Sequence, residues 1–335
     1  GSNLGNTVLG TPQNNYYQGF ANPNGNLAAG NPSEKVRVLV NKWFGGLDHP
    51  LAFVQPAKDA INPMPAYYRY QQTDGVLFWA GAGPLDVDIK QGKIGDCYFL
   101  AALGALTESN KQSIRDMFID NGDGTFTVRF YINGAAEYVT VDRQLPVDGG
   151  GRLVFDGIGR NASLSVAEAS VNPIWSKLAE KAYAQINESG GIRPDNKNEY
   201  NAFRSKSGGI EGGFGGPVFT QVTNRPFRAF QIINDFPLSE VVLRAADFIG
   251  IDVAVRPVSL LKNESKGLFK GLVMGTVNLP SDQMGYGLVP RHEYVLVGSN
   301  DVSVVLRNPW GGDNAIKIVP WSAVSHYFSY WARAL

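Results

Sequence analysis

Residues 91–108 have the sequence QGKIGDCYFLAALGALTE, in which a glycine-containing loop runs directly into a stretch dense in alanine and leucine. Ala and Leu are strong helix formers, and Asp96 is a residue type that commonly caps a helix N-terminus. The pattern predicts a buried helix that begins at or beside Cys97. A helix N-terminus carries a partial positive charge, so it favours the thiolate form of a cysteine placed there.

Cys97 is the single cysteine of the chain. One cysteine excludes an internal disulfide and any multi-cysteine zinc site, and it leaves either a buried inert thiol or a reactive one. A reactive thiol needs a proton carrier, a group that orients this carrier, and donors for the oxyanion.

Of the three histidines, His292 alone opens a strand-like run, RHEYVLVGSN. Asn308 ends the strand-like run VVLRN sixteen residues later, so a hairpin of the two strands would place the two side chains together. We therefore predict that Cys97 is the nucleophile, His292 the general base and acid, and Asn308 the group that orients His292. Gln91, six residues before Cys97, is the predicted partner of the Cys97 backbone N–H in an oxyanion hole.

The rest of the chain predicts an α+β fold. TFTVRFYI (125–132) and EYVTVD (137–142) flank Asn133-Gly134, which is typical of a β-hairpin. NPIWSKLAEKAYAQI (172–186) predicts an amphipathic helix whose charged residues face solvent, and SEVVLRAADFI (239–249) is a further helix candidate. The last third predicts strands at IDVAVRPV (251–258), EYVLVGS (293–299), DVSVVLRN (301–308) and AIKIV (315–319).

Composition narrows the classes of partner and the organisation of the chain. The 335 residues contain 30 Lys plus Arg and 30 Asp plus Glu, so no net charge favours nucleic acid, and no apolar run approaches the roughly 18–20 residues of a membrane span. Residues 1–33 are rich in Asn and Gly, which predicts a flexible arm or linker, and residues 34–335 form the predicted core. Gly1-Ser2 is typical of tag removal, so the natural protein is expected to be longer, and cytoplasm, cell envelope and extracellular space all remain open.

The chain contains four motifs, which are QGKIGDCYFLAAL, WSKLAEKAY, RHEYVLV and LRNPWGG. Their order and rough spacing are those of the calpain protease core, and the chain resembles this core over about residues 75–332. The resemblance implies a papain-like fold, with a helical lobe (about 75–215, containing Cys97) and a β-rich lobe (216–335, containing His292 and Asn308) on the two sides of a cleft. It also implies peptide-bond hydrolysis through an acyl-enzyme. Tyr98 stands where calpains usually have Trp, and the set without accessory calcium modules is similar to bacterial calpain-like proteases.

The same resemblance implies a calcium site formed by backbone groups near Gly81 and Gly83, by Asp88 and by Glu180, because carboxylate and carbonyl oxygens suit calcium. A second calcium loop, after RNPWGG, looks deleted. The chemistry itself needs no cofactor, so calcium dependence stays open. In the loop SGGIEGGFGG (207–216), Gly208 and Gly209 are the candidates for pairing with the main chain of a substrate.

The leading hypothesis is therefore a cysteine endopeptidase acting on proteins or peptides, with a monomeric core tethered to other modules. Two alternatives remain open. One is an inactive calpain-like module that binds an extended peptide, and the other is a papain-like transamidase, in which an amine instead of water resolves the thioester.

Overall fold

The computed structural model describes residues 30–54, 66–157, 165–192, 198–200, 209–233, 255–266 and 271–335. The chain divides into two compact units. The first unit is formed by Gly1–Pro84, Gln91–Asp96 and Gln112–Gly213, and the second by Leu85–Lys90, Cys97–Lys111 and Phe214–Leu335.

The chain contains both helices and strands along its length. The described helices are α1 (Ser33–Val40), α2 (Cys97–Ser109), α3 (Lys111–Arg115), α4 (Val166–Ala169), α5 (Trp175–Ile186), α6 (Gly215–Thr223), α7 (Val258–Lys266) and α8 (Trp321–Tyr327). A π-helical turn (Asn41–Gly45) extends α1, and 3₁₀ turns occur at Asp86–Asp88, Asn187–Ser189 and Ser281–Gln283. The described strands are β1 (Phe53–Val54), β2 (Ala66–Tyr67), β3 (Arg69–Gln72), β4 (Phe118–Asp120), β5 (Thr125–Ile132), β6 (Ala135–Asp142), β7 (Gln144–Val147), β8 (Phe227–Ile233), β9 (Val255–Pro257), β10 (Leu272–Thr276), β11 (Glu293–Ser299), β12 (Ser303–Arg307), β13 (Ile316–Pro320) and β14 (Phe328–Ala334).

In the first unit, small antiparallel sheets pair β1 with β2, β3 with β7, and β4 with β5 and β6. The predicted hairpin is confirmed, because β5 and β6 pair along their whole lengths. Asn133 and Gly134 form its turn with φ of 51° and 81°, in the left-handed region that a tight hairpin turn requires.

The helix predicted within residues 172–186 is confirmed as α5, which begins at Trp175, but the prediction that its charged face meets solvent was wrong. All twelve residues of α5 are buried, including Lys177, Glu180 and Lys181. Their charges are compensated inside the unit: Lys177 Nζ lies 3.4 Å from Asp156 Oδ2, and Lys181 pairs with Asp142. Buried charges persist only when paired in this way, and helical periodicity alone does not reveal such partners.

The second unit is built on a seven-stranded sheet in the order β13-β12-β11-β10-β14-β8-β9, antiparallel except for β8 and β9. Helix α2 packs on β11 and β10 and against α6, and Val295 Cγ2 lies 3.0 Å from the Cβ position of Gly104 in α2. Because side chains alternate along a strand, Tyr294 and Leu296 point to the opposite face, into the main hydrophobic cluster of the unit. The buried members of that cluster are Phe230, Ile232, Val258, Leu261, Leu272, Met274, Leu288, Tyr294, Leu296, Val304, Leu306, Val319, Trp321, Val324, Phe328 and Trp331.

The division into units differs from the predicted lobes for two stretches, Leu85–Lys90 and Cys97–Lys111, which group with the second unit. The predicted boundary at 215/216 lies close to the observed change at Gly213/Phe214, but Cys97 groups with the β-rich unit and not with residues 75–215. The reason is that α2 packs on β10 and β11, so its contacts are with the sheet that carries His292.

Some predictions fall outside the described residues. These include the predicted arm up to residue 29, the helix candidate 239–249, and the first part of the predicted strand 251–258, of which β9 is described. Among the described residues, no helix has both the length and the apolar character needed to cross a membrane.

Candidate active site

The hairpin of β11 and β12 places His292 beside Asn308. Val295 pairs with Arg307 and Leu296 with Leu306, while His292 directly precedes β11 and Asn308 directly follows β12. Asn300 closes the turn between the strands, since its Oδ1 accepts the N–H groups of Val302 and Ser303, each at 2.8 Å. The predicted juxtaposition of the two residues is therefore present.

The hydrogen bond between the two side chains defines the tautomer of the histidine. His292 Nε2 lies 2.8 Å from Asn308 Oδ1, and the Trp310 backbone N–H donates to the same Oδ1 at 2.9 Å. An atom that accepts a backbone N–H must be the amide oxygen, so His292 Nε2 carries the proton and donates it. This leaves Nδ1 as the ring's acceptor, the role that a general base needs.

The pair is shielded from water. His292 is 5% exposed and Asn308 3% exposed. Trp310 lies against the imidazole with ring centroids 4.9 Å apart, and Tyr294 meets it edge-on at 5.1 Å. Burial lowers the pKa of His292 to about 4, and the hydrogen bond to Asn308 opposes this shift. The imidazole is therefore neutral around neutral pH and able to accept a proton.

Thr276, which the sequence analysis did not identify, fixes the backbone of His292. Its Oγ1 accepts the His292 N–H at 2.8 Å, and its own N–H donates to the His292 carbonyl at 2.9 Å. Arg291, immediately before the histidine, has φ of 51°, a conformation that non-glycine residues adopt only when their surroundings hold them there. No sequence motif marks Thr276, because its contact depends on the pairing of β10 with β11.

Cys97 is the first residue of α2, as predicted. The helix has thirteen residues, so its N-terminus carries a full helix dipole, and the thiol side chain is 9% exposed. Cys97 interacts electrostatically with Tyr330 of β14. The second unit therefore contains the candidate nucleophile, base and orienting residue together.

Gln91 and Asp96 belong to the first unit. Gln91 is buried, and its Nε2 donates to the Ile94 carbonyl at 2.8 Å within the loop that precedes Cys97. Burial raises the pKa of Asp96 to about 7, with a further contribution from the charge of Asp156. A carboxyl that is partly protonated near neutral pH opposes thiolate formation at the next residue less than a fully charged one does.

The residues proposed for calcium do not fit a calcium ion as the structure places them. A Cβ on Gly83 would lie 2.3 Å from Arg115 Nη2, so a guanidinium cation already lies against this backbone. Both carboxylate oxygens of Glu180 accept the Asp156 N–H, at 3.2 and 3.0 Å. Burial and the charges of Asp96 and Asp156 hold the pKa of Glu180 well above its usual range, which favours the protonated form.

The other two proposed ligands add no support for a metal. Gly81 is exposed with φ of 78°, and Asp88 belongs to the second unit, where its Oδ2 accepts the Leu85 N–H at 2.9 Å. Across the described ranges, no group of three or more His, Cys, Asp or Glu side chains is arranged to hold a metal. Calcium binding stays a prediction.

The glycine-rich loop is only partly visible. Gly208 lies outside the described residues, whereas Gly209 is buried with φ of 68°. Farther along the loop, the Gly212 N–H donates to the Gly95 carbonyl at 2.7 Å, so this segment pairs with the loop two residues before Cys97. Substrate binding by Gly208 and Gly209 stays a prediction.

Residues 71–332 match the family model described as calpain family cysteine protease. The chain belongs to this family. The match spans all four motifs and both units, and a calpain protease core is papain-like, so the α+β fold class expected from the sequence is confirmed.

Curated calpains align with the same region. The chain is 28% identical to the calpain-type cysteine protease DEK1 of Arabidopsis thaliana over 295 residues, which are 84% of this chain and 11% of that protein. It is 27% identical to calpain-9 of Mus musculus over 247 residues, 68% of this chain and 29% of that one. It is 28% identical to the calpain-2 catalytic subunit of Bos taurus over 240 residues, 68% of this chain and 28% of that one. The chain thus spans less than a third of the length of these relatives.

Proposed function

We propose that this calpain-family chain is a cysteine endopeptidase in which Cys97, His292 and Asn308 act together on peptide bonds of protein substrates. The observation that carries the proposal is the buried His292–Asn308 pair, whose hydrogen bonds leave Nδ1 as the proton acceptor in the unit whose sheet supports the Cys97 helix. A buried imidazole needs a hydrogen-bond partner, and here the partner is one that leaves Nδ1 as the proton acceptor.

The chemistry follows from these roles. The Cys97 thiol gives its proton to His292 Nδ1, and Sγ attacks the carbonyl carbon of the substrate. As the C–N bond breaks, the imidazolium returns the proton to the leaving amine, and a thioester remains. His292 then takes a proton from water, the hydroxide attacks the thioester carbon, and cleavage of the C–S bond releases the carboxylic acid and restores the thiol. Gln91 and the Cys97 backbone N–H are the predicted oxyanion donors.

Chemical modification tests this proposal on the unaltered chain. Because Cys97 is the only cysteine, iodoacetamide labels one thiol, and mass spectrometry measures the modified fraction directly. We expect the rate of cleavage of an unfolded, cysteine-free protein to fall in proportion to that fraction. Full activity of completely alkylated protein would overturn the proposal.

The same assay separates the alternatives. New N-termini in the products indicate hydrolysis, whereas incorporation of an added primary amine indicates the transamidase. Saturable binding of the unfolded protein without any cleavage indicates the peptide-binding module. A cleavage rate that falls in chelator and recovers with calcium would show that calcium activates the protein, whereas equal rates would exclude this role.

Substitution of Asn308 tests the orienting role. Asn308→Ala removes the acceptor of the His292 Nε2 proton, so the ring loses its fixed tautomer and direction, and we expect kcat to fall about 100-fold. Asn308→Asp is the matched control, because a carboxylate still accepts both hydrogen bonds. Its negative charge favours the imidazolium, so we expect most of kcat to remain and the acid limb of the pH–rate profile to move to higher pH. Equal activity of Asn308→Ala and the wild type would contradict the assignment.

A further inference from the structure

Directly after the catalytic histidine, Glu293 places a buried carboxyl inside the second unit. Its side chain is 3% exposed, and strand alternation directs it to the opposite face of β11 from Tyr294, toward α2 and α6. The mechanism proposed above does not use this group. Burying a carboxyl without an ion-pair partner costs free energy unless hydrogen bonds compensate the lost hydration.

Glu293 is held by a hydroxyl and by a helix N-terminus. Its Oε1 accepts a hydrogen bond from the Tyr330 hydroxyl and a second one, at 2.9 Å, from the N–H of Gly215, the first residue of α6. Within the described part of the chain, Oε2 has no hydrogen-bond partner. Burial raises the pKa of Glu293 to about 7, and the two hydrogen bonds oppose this shift.

A glycine makes the contact between Glu293 and Tyr330 possible. Gly275 of β10 pairs with Glu293 on one side and with Tyr330 on the other, so the three residues form a row across β11, β10 and β14. A Cβ on Gly275 would lie 2.0 Å from Tyr330 Cε1, which means that the tyrosine ring lies directly over the glycine. Only a residue without a side chain lets the ring cross the middle strand and reach the carboxyl.

The row lies against the start of the Cys97 helix. The Cβ position of Gly215 is 2.6 Å from Glu293 Oε2 and 3.2 Å from the carbonyl oxygen of Tyr98, the residue next to Cys97. Tyr330 interacts electrostatically with Cys97, and its pKa is raised by burial first and then by the charge of Glu293. Glu293 therefore contacts Tyr330, and Tyr330 lies within electrostatic range of Cys97.

Other charged groups of the described residues lie near this face. The Asp86–Arg307 ion pair lies farther along, beside Val295 and Gly104, and its two charges offset each other. His292 adjoins Glu293 in the chain, but its ring contacts Tyr294, Asn308 and Trp310. Asp96, which precedes Cys97 in the chain, also has its pKa raised to about 7. Glu293 is therefore one of two carboxyls whose protonation changes the charge near Cys97, and it is the one that contacts Tyr330.

We propose that Glu293 and Tyr330 are positioning residues that control the ionisation of Cys97, with the charge state of the Glu293 carboxyl setting the electrostatic potential at the thiol. The proposal rests on Cys97 being the nucleophile, as argued above. A protonated Glu293 leaves the thiolate unopposed, and an ionised Glu293 disfavours it through like-charge repulsion. Proteolysis thus responds to pH through a carboxyl that never touches the substrate.

Glu293→Gln is the decisive variant. Gln keeps the shape and keeps Oε1 as the acceptor for Tyr330 and Gly215, so it removes the charge alone. Iodoacetamide alkylation across a pH series reports only Cys97, and we expect the midpoint of the rate curve to fall by about one pH unit in Glu293→Gln. The kcat/KM profile should move in the same direction. Glu137→Gln, which neutralises a buried carboxyl of β6 in the first unit, is the matched control and should leave the midpoint unchanged.

Tyr330→Phe provides an independent second variant. Loss of the hydroxyl removes a donor that stabilises the Glu293 carboxylate, so the carboxyl stays protonated to higher pH and the alkylation midpoint should again fall. In the double variant Glu293→Gln/Tyr330→Phe, the shift of the alkylation midpoint should be smaller than the sum of the two single shifts, because both substitutions act through the charge of Glu293. A midpoint that is unchanged in Glu293→Gln and in Tyr330→Phe, with both proteins folded, overturns the inference. Alkylation does not require turnover, so this result is distinct from a failure of the proposed peptidase activity.

Discussion

Replacing Cys97 with alanine is expected to abolish cleavage of an unfolded protein substrate, with a loss of roughly 10⁴-fold or more in kcat. The variant lacks the sulfur atom that attacks the substrate and forms the thioester. Without this attack no oxyanion forms, so the remaining groups of the site have nothing to stabilise. Since Cys97 is 9% exposed and the change removes one sulfur atom, the fold should survive. The measurement is the initial rate of release of labelled peptides, wild type against variant.

Cys97→Ser sharpens the test. A serine hydroxyl occupies nearly the same volume, but it ionises far less readily than a thiol, so His292, being neutral and buried, cannot supply enough driving force. We expect Cys97→Ser to bind substrate with unchanged affinity and to turn it over at less than a thousandth of the wild-type rate. If either variant retained the wild-type rate, Cys97 would not be the nucleophile, and the activity would have to arise elsewhere.

A large loss of stability is expected from Lys42→Met. Lys42 is buried in the π-helical turn after α1, where its Nζ lies 2.6 Å from Asp48 Oδ2 and 2.5 Å from Glu188 Oε2. Burial alone lowers the pKa of Lys42, but the charges of Asp48 and Glu188 outweigh it and raise the pKa. Removal of the ammonium leaves the buried Glu188 carboxylate and the partly buried Asp48 carboxylate without a cation between them, and we expect the free energy of unfolding to fall by about 3–5 kcal/mol.

Chemical denaturation followed by tryptophan fluorescence measures this loss. The matched control is Arg37→Met, which breaks the exposed Arg37–Glu34 pair and should leave the free energy of unfolding nearly unchanged, because solvent screens exposed charges. The combination of Lys42→Met with Asp48→Asn and Glu188→Gln should recover most of the stability, because no charge is then left unpaired. A raised lysine pKa stabilises the fold below the unfolded pKa, so the wild-type contribution should disappear only as the pH rises through the alkaline range. Equal stability of Lys42→Met and the wild type would contradict this account.

The fold of the site was largely predictable from local patterns. Helix α2 begins at Cys97 because a loop meets a run of helix-forming residues, and β11 and β12 follow alternating apolar runs. These signals are local in sequence, so each can be recognised without its neighbours. The adjacency of His292 and Asn308 also followed, since a hairpin pairs residues by their distance from the turn.

Several features of the structure depend on contacts between segments that are distant in sequence, and no local sequence pattern predicts them. The burial of Lys181 and Glu180 on α5 depends on Asp142 and Asp156, which lie 39 and 24 residues away. The support of His292 by Thr276 depends on the pairing of β10 with β11.

The sequence by itself determined the residue types of the chemistry, their order along the chain, and the helix and strands that present them, because propensity and periodicity act over a few residues. Only the tertiary structure decided which charged groups are buried and what they meet. It placed Glu293 and Tyr330 on either side of Gly275 and against the helix of Cys97. The electrostatic potential at a thiol depends on distance and burial, and these are defined only after distant segments have packed together.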